Sequence, residues 1–377
     1  MFGHENFAKV QDRWESFWEG GNESPLFSIT VPKNGKEIAP APLYLAGFNG
    51  NYQAVADTLA RWYDSCMFFG EAIPYYQLEF GADTFASYLG ADLMFGTNAG
   101  VNTSWPTHTI TQLKNVKIAF DKNGKWWNRT VEFYYGLKKT LGETVMISAP
   151  TLVSGLDAIV ALYGAENLLY DLIDEPEAVH EALEQLNAAY TGILNEYAKL
   201  FEFDKYGSIN RHGMYSKGRI GVPQCDFSVM LSPEMFEEFE IPCLEHEFNQ
   251  LDAGEYHLDG SGAIKHLERL AEIQKLHVIQ WVPDMERPAG ADHLPDGLNP
   301  FYYWTDLYKK IVSLGKGVLL GTNPIDGDNR EYMTYMQNEL KTPRIFAIIN
   351  GIKSKDEAEN YLGERDALFS CGIDASV

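Results

Sequence analysis

From about residue 143 onward, short apolar runs alternate with helical patterns almost without interruption, and few folds accommodate that rhythm. The runs at 144–148, 207–210, 255–258, 278–282, 317–320 and 345–349 are short and end in turn or polar residues, as buried strands do. Helical spacing fills the gaps at 156–172, 177–200, 233–250, 263–273, 302–314, 330–340 and 354–362. Ser232-Pro233-Glu234 sets an N-cap, an N1 proline and an early acid in order, and Asp174-Glu175-Pro176-Glu177 does much the same. Two earlier runs, 27–31 and 66–69, bring the strand total to eight. Eight βα units with right-handed crossovers close into an α/β TIM (β/α)8 barrel, the expected fold; a doubly wound open sheet is the structural alternative.

Residues 79–125 read as an insertion between the second and third strands. They hold Trp105-Pro106-Thr107-His108 and then a run at 116–120 that turns at Asp121-Lys122-Asn123-Gly124 into Trp126-Trp127, a small β excursion. With no repeat or low-complexity linker, the 377 residues are expected as a single domain, a length that such barrels reach.

Charge removes several function classes. A formal net charge of −23 repels phosphate backbones and anionic lipid, so neither nucleic acid nor a membrane surface is an expected partner. No run approaches the roughly 18 apolar residues of a membrane span. The start, Met1-Phe2-Gly3-His4-Glu5-Asn6, has no basic and apolar leader pattern, and the four cysteines lack CxxC spacing. A cytoplasmic location is the expectation.

Barrel chemistry gathers where strands end. In Gly254-Glu255-Tyr256-His257-Leu258-Asp259-Gly260, His257 and Asp259 stand two apart, so in extended backbone they share a face. An imidazole and a carboxylate so placed can ligate a metal or serve as an acid/base pair, although a structural histidine bonded to a turn aspartate is the ordinary alternative. Strand four runs into Arg211-His212-Gly213, a loop with Lys217 and Arg219, and Gln224-Cys225-Asp226-Phe227. Zinc accepts such mixed ligands, which makes Cys225 a candidate third ligand beside His257 and Asp259. Asp226, Asp157 and His212 are candidate catalytic groups, and Lys217 and Arg219 candidate holders of an anionic group. Tyr76, Trp105 and Trp281 are candidate pocket walls, though aromatics at strand spacing are more often core. Asn323 and Asn350, ending strands seven and eight, offer hydrogen bonds to a substrate.

Two stretches carry a family resemblance. Ala149-Pro150-Thr151-Leu152, continued by Gly164-Ala165-Glu166-Asn167 through Asp174-Glu175-Pro176-Glu177, resembles the third strand and following helices of the uroporphyrinogen decarboxylase superfamily. So does Leu231-Ser232-Pro233-Glu234-Met235-Phe236 with the later Pro242, and 345–352 looks like its last strand. The resemblance implies a TIM barrel and either decarboxylation or zinc-dependent methyl transfer to a corrinoid. Where the decarboxylases carry arginines after strand one, this chain reads Ser28-Ile29-Thr30-Val31-Pro32-Lys33. Their aspartate, tyrosine and histidine fall at 73–76, Leu156 and Asn350, so porphyrinogen decarboxylation is not expected. The methyltransferase branch binds zinc with His-x-Cys on strand five and a cysteine at strand eight; here those places read His257-Leu258-Asp259 and Asn350. A harder site of this kind suits an oxygen- or nitrogen-bound methyl group. The expected activity is therefore methyl transfer from a small methoxy or methylamine compound to a corrinoid protein or folate, with zinc as metal and a homodimer implied by relatives. A metal-independent decarboxylase or lyase acting on a small carboxylated substrate is the alternative.

Overall fold

The computed structural model describes residues 2–4, 7–98, 101–283, 300–321 and 327–370. The chain forms two compact units, each discontinuous in sequence: Met1–Ala39, Arg61–Pro74 and Glu255–Val377 make the first, Pro40–Ala60 and Tyr75–Gly254 the second.

The first unit is built on a parallel sheet. Leu26–Pro32 pairs with Ile345–Ile349, which pairs with Gly317–Leu320, then Val278–Val282, then the Glu255–Asp259 part of the strand Ala253–Asp259. Gly317–Leu320 is buried along its whole length, and Val278–Val282 nearly so, as strands covered on both faces must be. Cys66–Gly70 departs from the sequence reading. It runs antiparallel to Leu26–Pro32 and closes one edge of the sheet, so it is not the second parallel strand. Its burial alternates because an edge strand keeps a wetter face.

Glu71, just beyond that edge strand, is a structural hub. It is 4% exposed and accepts from Phe27 N at 2.7 Å, Arg13 Nε at 3.0 Å and Arg365 Nη1 at 3.0 Å. Its own carbonyl accepts from Trp14 Nε1, and Trp14, on the helix Phe7–Glu19, packs its ring 4.9 Å from that of Phe346.

In the second unit, Tyr75–Gln77 lies parallel to Met146–Ser148 and takes the place expected of 66–69. Ser208–Ile209 pairs antiparallel with Tyr215–Ser216, and Ile220–Gly221 runs parallel to Ala253 and Gly254. Within the expected insertion the β structure is Leu93–Asn98 against Val101–Pro106, not 116–120, which is irregular. The Asp121–Gly124 turn forms, but it leads into the helix Lys125–Leu141, where Trp126 and Trp127 are buried. The helical pattern at 156–172 breaks at Gly164 into Gly155–Tyr163 and Ala165–Asp174.

The pattern at 233–250 starts where its cap predicts, with Ser232 accepting from Met235 N at 3.2 Å. It then widens into a π turn, Phe236–Glu240, before the α-helix Ile241–Asn249. Pro242 supplies the reason: it has no N–H for the carbonyl of Glu238, and its ring crowds that carbonyl, so the ladder widens in the preceding turn. Among the described residues no helix is long and apolar enough to cross a membrane.

Candidate functional site

In the first unit the strand register assembles His257, Asp259 and Gln280. His257 lies opposite Gln280 in the parallel pair, and Asp259 lies opposite Val282. Strand side chains alternate faces, so His257, Asp259 and Gln280 share one face while Leu258 and Trp281 take the other. His257 Nδ1 donates to Gln280 Oε1 at 2.6 Å, which leaves Nε2 as the ring's lone-pair nitrogen. That Nε2 stands 3.8 Å from Asp259 Oδ2, and the two side chains are 15% and 44% exposed, within reach of a solute.

The donor set fits a metal. Two ligands of one tetrahedral zinc at ~2.1 Å stand roughly 3.4 Å apart, so a few tenths of an ångström of closure suffice. These ligand atoms are close enough to share an ion. The register that sets Gln280 opposite the histidine gives it the tautomer-fixing role.

The second unit gathers carboxyl groups around the N-termini of two short helices. Asp157 Oδ2 and Oδ1 accept from the backbone N of Asp226 and Phe227 at 2.8 and 2.9 Å, capping the 3-10 turn Asp226–Met230. Burial raises the Asp157 carboxyl, the Asp226 charge raises it further, and the two amides oppose both. Glu240, held inward by the π turn, accepts from Leu156 N at 2.9 Å at the start of Gly155–Tyr163. A side chain at Gly155 would meet Glu240 Oε1 at 2.5 Å, and its φ of +58° is in the left-handed region, so glycine is required there.

Burial pushes the Glu240 carboxyl up to about 8. The folded state therefore holds a proton that the unfolded chain releases above 4.5, and stability declines between 4.5 and about 8 as pH rises. Glu240→Gln keeps an acceptor for Leu156 N and removes this dependence. Denaturant unfolding is expected to show the variant more stable by roughly 4 kcal/mol at pH 8 and unchanged at pH 4.

Several sequence candidates have other work. Cys225 is 3% exposed, and burial followed by the charges of Glu240, Asp157 and Asp226 holds its thiol far up. Cys225 is thus a buried, protonated thiol, and the group of potential metal ligands among the described residues does not include it. Trp281 is 1% exposed with its ring 4.8 Å from Trp304, on the face opposite His257; it is core, not a pocket wall. Arg219 is a loop anchor, with Nη2 on Asn195 Oδ1 at 2.9 Å and its N on Asp252 Oδ2 at 2.8 Å.

Lys217 is exposed, and His212 is half-buried with its N donating to Asn210 Oδ1. Asp226 is exposed and accepts from Gln224 Nε2 at 3.2 Å. Tyr76 is half-buried, edge-on to Phe133, and burial raises its hydroxyl. Trp105 is 43% exposed on its hairpin strand. The backbone N of Asn350 is held by Asn329 Oδ1 at 2.8 Å. Asn323 lies outside the described residues.

No known family model and no curated protein matches the chain. A solved methyltransferase from Methanosarcina mazei superposes with a TM-score of 0.58 at 11% identity, over 96% of this chain and 99% of that one. The two share a fold. A B12-independent methionine synthase from Shewanella sp. W3-18-1, in complex with selenomethionine, is similar at a TM-score of 0.44 and 13% identity, over 92% of this chain and 98% of that one. The α/β resemblance read from the sequence is thus borne out at the level of fold.

Proposed function

We propose that this protein moves a methyl group from a small methoxy or methylamine compound to a corrinoid protein or folate, with zinc held by His257 and Asp259. The observation that carries this is the Gln280–His257–Asp259 array: one ring nitrogen committed, the other beside a solvent-reachable carboxylate. A zinc ion there would act as a Lewis acid on the donor's heteroatom. Gln280 keeps the Nδ1 proton in place, and Asp259 supplies negative charge without a thiolate's softness. Breaking the carbon–oxygen bond of a methoxy donor leaves an oxygen that must gain a proton. Asp157, whose proton burial retains toward neutral pH, is the proposed source, with Asp226 or His212 as further acid/base groups. The fold shared with a methyltransferase is consistent with this chemistry. A cytoplasmic homodimer is part of the same reading.

The test is a spectroscopic assay with zinc-loaded protein, cob(I)alamin and a panel of methoxy and methylamine donors. Methylcobalamin formation that depends on protein and zinc is expected. Absence of methylation throughout, with carbon dioxide released from a small carboxylate by metal-free protein, would select the decarboxylase instead.

A further inference from the structure

Arg211, just past the Ser208–Ile209 strand, has an unusual setting. Its Nη1 donates to Gln224 Oε1 at 2.9 Å, and the other end of that amide is fixed because Gln224 Nε2 donates to Asp226 Oδ2. The loop beneath is equally held. Tyr75 Oη donates to the Arg211 carbonyl at 2.9 Å, and buried Asn210 Oδ1 accepts from the backbone N of both His212 and Met214 at 3.0 Å. Yet Arg211 Nη2 is buried and has no acceptor among the described residues. A guanidinium cannot shed its charge, and a buried N–H without an acceptor costs about 1–3 kcal/mol, more when charged.

Glu79 and Tyr44 lie within the field of this cation. Glu79 does not neutralise it: burial pushes its carboxyl up to about 7 against the pull of Arg211, where a made ion pair would hold it low. The arrangement is therefore a rigid, oriented donor with an unspent positive charge. A single cation near Glu79, with Asp226 at the far end of the Gln224 amide, suits a monoanion, whereas a dianionic phosphate would meet uncompensated repulsion.

We infer that Arg211, oriented by Gln224, binds the carboxylate of a small substrate through Nη2. The methyl-transfer reading enters only in the choice of a methoxy carboxylate as the ligand. The contact is end-on, since Nη1 already serves Gln224. Arg211 is a specificity residue in this account.

The test is calorimetric binding of two probes of nearly equal shape, methoxyacetate and neutral 2-methoxyethanol, to the full-length wild type and to Arg211→Gln. Wild type is expected to prefer methoxyacetate by at least tenfold, and Arg211→Gln to lose that preference while 2-methoxyethanol binding stays the same. Equal affinities for the two probes in wild type, or an undiminished preference in Arg211→Gln, would overturn the inference. Should Arg211→Gln fail to fold, nitrogen-15 NMR of the wild-type guanidinium decides: a side-chain signal must shift with methoxyacetate and stay still with the alcohol. Binding is read without turnover, so the two proposals fail separately. Arg211-dependent binding with no methylation of cobalamin sinks methyl transfer alone, and methylation from neutral donors without methoxyacetate binding sinks the carboxylate site alone.

Discussion

His257→Ala is expected to abolish zinc retention and lower methyl transfer by at least about a thousandfold while leaving the circular dichroism spectrum unchanged. The imidazole is partly exposed, on a strand whose other face carries the packing, so its removal opens no core cavity. Gln280→Ala should follow it in milder form. Without the acceptor on Nδ1 the ring can flip or change tautomer, and second-shell losses of this kind run to about 10–100-fold in metal affinity. Zinc titration with a competing chelator measures both. Equal zinc affinity in wild type and His257→Ala would remove the histidine from the ligand set.

The second large effect concerns stability alone. Glu71→Ala leaves Arg365, 7% exposed, with only the exposed Asp366 as an ion-pair partner, strips Arg13 of its carboxylate, and orphans the amide of Phe27 at the start of a sheet strand. Removing one member of a buried ion pair costs about 3–5 kcal/mol, mostly because the surviving charge stays buried. Urea unfolding of the variant should show that loss, and the double variant Glu71→Leu, Arg365→Leu should recover part of it. A loss under about 1 kcal/mol in the single variant would mean that water reaches Arg365 and screens its charge.

Apolar patterning made much of the architecture legible. The strands Val278–Val282, Gly317–Leu320 and Ile345–Ile349 have the bounds their apolar runs give, because strands buried on both faces leave an unbroken apolar signal. Direction left no such mark. Cys66–Gly70 reads like its parallel neighbours in composition, and only pairing shows it antiparallel. Tyr75–Gln77, half-exposed and preceded by Pro74, has no apolar run to announce it. At the site, the two-residue spacing of His257 and Asp259 was enough to put both on one face. Register, which decides that Gln280 and not Trp281 faces the histidine, is a pairing property that a single sequence does not carry. The sequence gives Arg211 and Glu79 no distinct role for a similar reason: their character comes from burial and from partners distant in the chain. Cys225 illustrates the reverse, a promising ligand type whose surroundings favour the protonated thiol.

The claim on which the functional reading stands is that His257 Nε2 and Asp259 hold one metal ion. X-ray absorption at the zinc edge, on protein reconstituted with one equivalent, tests it most directly. The expected spectrum has only nitrogen and oxygen neighbours at about 2.0–2.2 Å, with imidazole outer-shell scattering that disappears in His257→Ala. A sulfur shell near ~2.3 Å, or protein that releases its zinc on gel filtration, would contradict it.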